Sequence, residues 1–222
     1  MAANAPPSDD VDYFQSVPWA AALLAQPAVV PFTPISRLEG EMAVSSQTQD
    51  QLFRRSLNND DTIPRCLGFY HDTARQVIDA IAKEDPPTSL RLLINSVSLF
   101  FDLQPGVNGF NGTAHGGLIT SLMDEAMGSL LLVNSTVQAT IQSEDKALPQ
   151  GILNLANLRV LTAAMNVRFQ KPVKTPGLVL VTATFVKTEK RKIFLDVRLR
   201  DEHGIENACC DGLWMALPRR KL

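Results

Sequence analysis

Asn108-Gly-Phe-Asn-Gly-Thr-Ala-His115-Gly-Gly117-Leu-Ile-Thr-Ser-Leu-Met-Asp124-Glu-Ala-Met-Gly128 is the stretch from which the rest of the chain is read. Its first half is rich in Gly and Asn, residues that accept turn and left-handed conformations at low cost. At His115-Gly116-Gly117 the pattern changes to a helix, predicted to run to about Asn134. Ile119, Leu122, Met123, Ala126 and Leu130 recur at helical spacing as a buried stripe. A second face carries Gly117, Ser121, Asp124 and Gly128, whose small side chains leave space beside the carboxylate. The N–H groups at the helix start lack intrahelical acceptors and lie at the positive end of the helix dipole. They form a place for an oxygen that gains negative charge.

One distance constrains how such a helix can work. At 1.5 Å per residue, Asp124 lies roughly 13 Å along the axis from His115. A carboxylate that far away cannot act on an oxygen held at the start of its own helix. Two chains arranged about a two-fold axis, each lending one end of the motif to a shared site, satisfy the geometry. Glu125 is the competing carboxylate, but it points about 100° away from Asp124 and off the small-residue face.

His-Gly-Gly followed by Asp nine positions after the His resembles the hotdog-fold acyl thioesterase superfamily, in the branch marked by this motif. The resemblance covers about Leu90 to Leu217, and Leu161-Thr162 with the strand up to Lys171-Pro172 is similar to the family's second strand. It implies an α+β hotdog fold, a long central helix wrapped by an antiparallel sheet, and two active sites at a dimer interface. It also implies that the Gly116 N–H polarises a thioester carbonyl. Asp124 would act as general base or nucleophile, and Thr162 would hold water or orient Asp124. His115, Gly117 and Asn108 then fall near the substrate. Relatives place an Asn or Gln where this chain has Gly109, and Asn108 is the nearest polar replacement. The resemblance further implies that Arg168, Lys171, Arg191 and Lys192 contact coenzyme A phosphates, as similar positions do in the family; solvated edge protection is the equal alternative for basic residues at strand ends.

Composition sets the outer limits. The 222 residues are 45% hydrophobic and 20% charged with a formal net charge of −2, which gives no reason to expect nucleic acid or an anionic membrane as partner. No apolar run reads as reaching membrane-spanning length, and the start lacks a basic leader, so the default expectation is a cytoplasmic protein. Three cysteines, Cys66, Cys209 and Cys210, form no disulfide framework. With no CxxC and only His71, His115 and His203 as nitrogen donors, neither a metal nor another cofactor is expected.

The chain divides into an N-terminal extension, 1–87, and a core, 88–222. The extension is read as mostly helical and packed on the core. Its first dozen residues are expected to be disordered, and a short helix should begin near Pro18, where a missing N–H costs nothing. A second helix is placed at Gln47–Leu57, a turn at Pro64–Phe69, and a third helix from Thr73 to Lys83 capped by Asp72. A lid over a site entrance is the sharper alternative to plain packing. Pro86-Pro87-Thr88 is the expected hinge, and Leu90–Leu103 the first strand. A polar loop with Glu144, Asp145 and Lys146 follows the long helix. Arg159–Lys171, Leu178–Thr188, Lys192–Asp201 and Ile205–Leu217 then alternate as successive antiparallel strands.

The function this implies is hydrolysis of an acyl thioester carried by coenzyme A or an acyl-carrier protein, by a homodimer or a pair of dimers. A hotdog hydratase or dehydratase, and a non-catalytic acyl-CoA-binding scaffold, are the alternatives. Together, Asp124, Gly116 and Thr162 favour the hydrolase.

Overall fold

The computed structural model describes residues 8–38, 50–83, 89–143, 147–156 and 158–218. Residues 1–7, the expected hinge at 86–88 and the polar loop residues 144–146 lie outside them. In chain order the extension gives α1 (Ser8–Gln15), α2 (Pro18–Leu24), β1 (Val29–Phe32), β2 (Cys66–His71) and α3 (Ala74–Ile81). The core gives β3 (Ser96–Leu103), a short β4 (Asn108–Phe110) and β5 (Thr113–Ala114), α4 (Gly116–Ser143), and β6 (Leu158–Phe169). The last three strands are β7 (Gly177–Glu189), β8 (Lys192–Asp201) and β9 (Glu206–Pro218). Seven strands form one antiparallel sheet in the order β1-β2-β3-β7-β8-β9-β6, so β6 is a free edge. The α+β layout, with one long helix against an antiparallel sheet, is the one the sequence implied.

Alternation decides which side chains meet α4. On β3, Leu99 and Phe101 turn toward the helix and join Leu122, Met123, Ala126, Met127 and Leu130 in the main core. Phe100 turns the other way, where Phe14 and Phe69 stack on it at 5.2 Å and Trp19 meets it edge-on at the same distance. These contacts seat α1 and α2 on the outer face of the sheet, with Phe14 fully buried. Burying such side chains is worth about 1.5–3 kcal/mol each. Residues 8–12, expected to be disordered, are therefore part of the ordered helix α1. Pro18 does occupy the first turn of α2.

Three further boundaries differ from expectation. Cys66–His71 is a strand, not a turn; nearly every side chain on it is buried, so it shows no alternation to read. Within Gln47–Leu57, residues 47–49 lie outside the description and Leu52–Ser56 winds as a π-helical turn. The long helix continues nine residues past Asn134, to Ser143. Asn134 and Gln138 look like a polar end but are fully buried. Asn134 exchanges hydrogen bonds with the backbone of Ile94, both at 2.9 Å. Gln138 donates to the carbonyl of Leu153 and accepts from the N–H of Leu155. At its full length α4 is apolar and long enough to cross a membrane by composition, contrary to the sequence expectation. Half of its most apolar window is buried inside the protein.

The helix crosses the sheet closely at one point. The space a Cβ on Gly212 of β9 would take is filled by the sulfur end of Met127, which would have to move aside for any larger residue. Arg91–Asn95, expected as strand, is irregular backbone that runs into the buried Leu92, Leu93 and Ile94.

Candidate active site

β6 positions the chemistry. Thr162 and Phe169 are seven residues apart, an odd separation that would send them to opposite faces of a regular strand. The pairing with β9 shifts by one between Thr162 and Ala164, so Ala163 is the extra residue of a β-bulge. The bulge reverses the alternation, and both side chains reach α4. Thr162 Oγ1 donates to Asp124 Oδ1 at 2.7 Å. Phe169 lies over the helix start, where a Cβ on Gly116 would stand 3.3 Å from its ring.

At the helix start, Gly116 borders an open cavity of about 480 Å³ with Gly109, His115, Phe169 and Lys171. The His115 ring does not reach outward for a ligand with Nδ1, which accepts the N–H of Gly117 at 2.9 Å. That bond engages the N–H of Gly117, a residue the family resemblance places near the substrate. Gly116, as the first helical residue, has no intrahelical acceptor for its N–H. It is the donor that remains for an incoming oxygen. Gly109 stands where a polar residue was expected. A Cβ there would come within 3.0 Å of the His115 Cα, so the glycine makes room for the histidine. The amide oxygen of Asn108 accepts from the hydroxyl of Thr175, and Asn108 borders a separate cavity with His115, Leu118 and Ser121 rather than the one at Gly116.

About 12 Å along the axis, Asp124 opens on a different cavity, of about 230 Å³. Glu125, Asp50 and Ser36 share its wall. Ser36 Oγ donates to Glu125 Oε1 at 2.5 Å. Burial, with Asp50 and Asp124 nearby, pushes the Glu125 carboxyl up to about 7, against the lowering effect of the Ser36 bond and Arg37. Glu125, ranked second from sequence, is thus half-buried in the same cavity as Asp124 and carries a proton near neutral pH. Nothing in the pattern announced Ser36 or Asp50, which come from the Pro-rich extension. Among the described residues no group of three or more His, Cys, Asp or Glu side chains could hold a metal ion.

The expected cations separate. Lys171 borders both the Gly116 cavity and a neighbouring one of about 380 Å³ that also involves Lys174 and His203. Arg168 is instead paired with Asp211 at 2.6 Å, which holds the Asp211 carboxyl below its usual range. Arg191 and Lys192 sit at the turn between β7 and β8, opposite Ala216 and Met215, level with the Thr162 end of β6 rather than with Lys171. They line none of the described cavities. The sequence reading missed two aromatic walls: Phe110 is 82% exposed and Phe169 56% exposed, both bordering the Gly116 cavity.

Residues 111–208 match the family described as the thioesterase superfamily. The chain is 29% identical over 215 residues to verlamelin biosynthesis protein B of a Lecanicillium species, which covers 93% of this chain and 87% of that protein. Among solved structures, a Streptococcus mutans protein bound to acetyl CoA is 16% identical, with a TM-score of 0.44 over 60% of this chain and 89% of that one. A hypothetical thioesterase from Streptococcus pneumoniae with coenzyme A is 14% identical, with a TM-score of 0.44 over 57% of this chain and 85% of that one.

Proposed function

Because the chain carries a domain of the thioesterase superfamily, we propose that it hydrolyses an acyl thioester to a free acid and a thiol, with Asp124 as general base. The observation that carries this reading is the 2.7 Å bond from Thr162 to Asp124 at the wall of a cavity. It leaves Oδ2 of Asp124 free of that bond to take a proton from water. The resulting hydroxide adds to the thioester carbonyl carbon, and the carbonyl oxygen becomes an oxyanion facing the Gly116 N–H. Collapse of this tetrahedral species breaks the carbon–sulfur bond, and the thiolate leaves with the proton that Asp124 held.

Gly116 and Asp124 open on separate cavities of one chain, so the reaction needs two copies. The free edge of β6, with Leu161 47% exposed and Phe169 56% exposed, supplies the contact. Antiparallel pairing about the middle of β6 would set Phe169 of one chain beside Thr162 of the partner subunit, and hence donor beside base. The thiol arm then leaves through the cavity bordered by Lys171, whose charge suits the phosphates of coenzyme A or of a carrier-protein arm. Following thiol release from a panel of acyl-CoAs tests the reading. Turnover of at least one member that disappears in Asp124→Asn is expected; binding of every member without turnover would support the scaffold alternative instead.

A further inference from the structure

The cavity beside Asp124 does not end at its carboxylates. It shares Ile35, Ser129 and Leu132 with a second cavity, of about 80 Å³, that continues along α4 beneath the extension. The lining changes along this path. Near Asp124 it includes Ser36, Asp50 and Glu125; farther on Phe32, Tyr70, Val133 and Val137 predominate, with the hydroxyl-bearing Thr33 and Thr136 among them. Asp124 and Val137 are thirteen residues apart on one helix, about 20 Å of axis, so the two adjoining cavities together extend along α4.

The far wall belongs to the extension. Phe32 of β1 pairs with Gly68 of β2, and the tip of its ring occupies the space a Cβ on Gly68 would need. The Tyr70 ring lies 6.0 Å from it, tilted by 50°. Phe32 is 6% exposed, so this wall is packed into the core. A carboxylate-bearing mouth, an apolar passage and a fixed aromatic end match an acid derivative whose tail is a hydrocarbon chain.

We propose that β1, β2 and the turn at Ile35 form the acyl-chain chamber of this protein, and that Phe32 and Tyr70 set the longest chain accepted. This rests on the thioesterase reading above for the placement of the carbonyl at Asp124. The extension is then a specificity element rather than a mere prop for the sheet. Ser129 and Leu132, on the α4 side, form the neck between the two spaces.

The test compares straight-chain acyl-CoAs from short to long on the full chain and two variants. Phe32→Ala should raise kcat/KM for chains beyond the wild-type limit by about tenfold or more relative to short chains, since each methylene placed in an apolar pocket carries about that discrimination. Leu132→Trp, at a half-exposed position that folding tolerates, should move the limit the other way. Calorimetric binding of the matching free fatty acids should shift in the same directions. Parallel profiles for folded variants and wild type, in both turnover and fatty-acid binding, would overturn the chamber while leaving the hydrolase reading intact. If the wild type cleaves no thioester, that reading fails, and the fatty-acid limits of the variants decide the chamber by themselves. If Phe32→Ala does not fold, Leu132→Trp decides it.

Discussion

At Gly116, α4 meets a wide cavity whose aromatic walls stand in solvent; at Asp124, two turns later, it meets a narrower one roofed by the chain's own extension. The first end offers a backbone donor with no charged group on the helix beside it. The second concentrates Asp124, Glu125 and Asp50, with Ser36 and Thr162 as hydroxyl partners. One end is left open to be completed by another surface, and the other is already completed within the chain. The difference teaches that the motif is two half-sites, and that the N-terminal extension serves only one of them.

The most severe way to break the comparison is to disable each end in a different chain. Gly116→Pro removes the donor and Asp124→Asn removes the base; each homodimer should lose about 10²–10⁴ in kcat. A heterodimer of the two variants holds one doubly damaged site and one intact site. It should recover about half of the normal dimer activity, as two-fold symmetry requires. Folding of the proline homodimer is checked first by circular dichroism. Purified, folded heterodimers that recover nothing would place donor and base in one chain.

A smaller effect sharpens the base end alone. Thr162→Ala removes a hydrogen bond to a carboxylate, a contact worth about 1.5–3 kcal/mol. A fall in kcat of roughly ten- to a hundredfold with little change in KM is expected from steady-state kinetics. A change confined to KM would make Thr162 a binding residue instead.

The smallest catalytic effect should come from Glu125→Gln, yet this change has a clear signature in stability. The Glu125 carboxyl is raised from 4.5 to about 7, so its protonated form is the one the fold favours. The stability this contributes is fully present below pH 4.5 and is lost as pH rises through about 7. Glutamine does not titrate. Between pH 5 and pH 8 the variant should therefore gain about 2–3 kcal/mol relative to wild type in urea melts. Equal pH slopes for the two proteins would remove Glu125 from the buried cluster.

How much of this was legible depends on how far apart the interacting residues lie. The helix start, Asp124 and the strands from Leu158 onward are written in local periodicity, and they were found where the pattern put them. The Thr162–Asp124 contact was legible only through the family resemblance. Strict alternation, carried across the bulge at Ala163, would have put Thr162 and Phe169 on opposite faces. A single extra residue leaves almost no trace in composition, although it sets the geometry of both half-sites. Ser36 meets Glu125 across 89 positions of sequence, beyond the reach of any local pattern. β2 escaped notice for the opposite reason. Covered by the core on one face and by α1 and α2 on the other, it has no polar side to alternate with. Arg191 and Lys192 joined the expected cation set as basic residues at strand ends in a family whose similar positions hold phosphates, and neither signal says which end of the sheet such a turn occupies.

The two buried amides of α4 have a consequence for how this sequence can change over time. Asn134 and Gln138 grip only main-chain atoms, those of Ile94, Leu130, Leu153 and Leu155. The side chains of the gripped segments are free to drift among apolar types without loosening either clasp. A residue gained or lost between Arg91 and Ile94, or between Gly151 and Leu155, segments that Arg91 already ties to Gly151 and Leu153 by backbone hydrogen bonds, would instead carry a carbonyl or N–H out of reach and strand a buried amide, at about 1–3 kcal/mol for each unmet group. Variants of this chain should therefore differ freely in spelling along these connections while keeping close count of their letters.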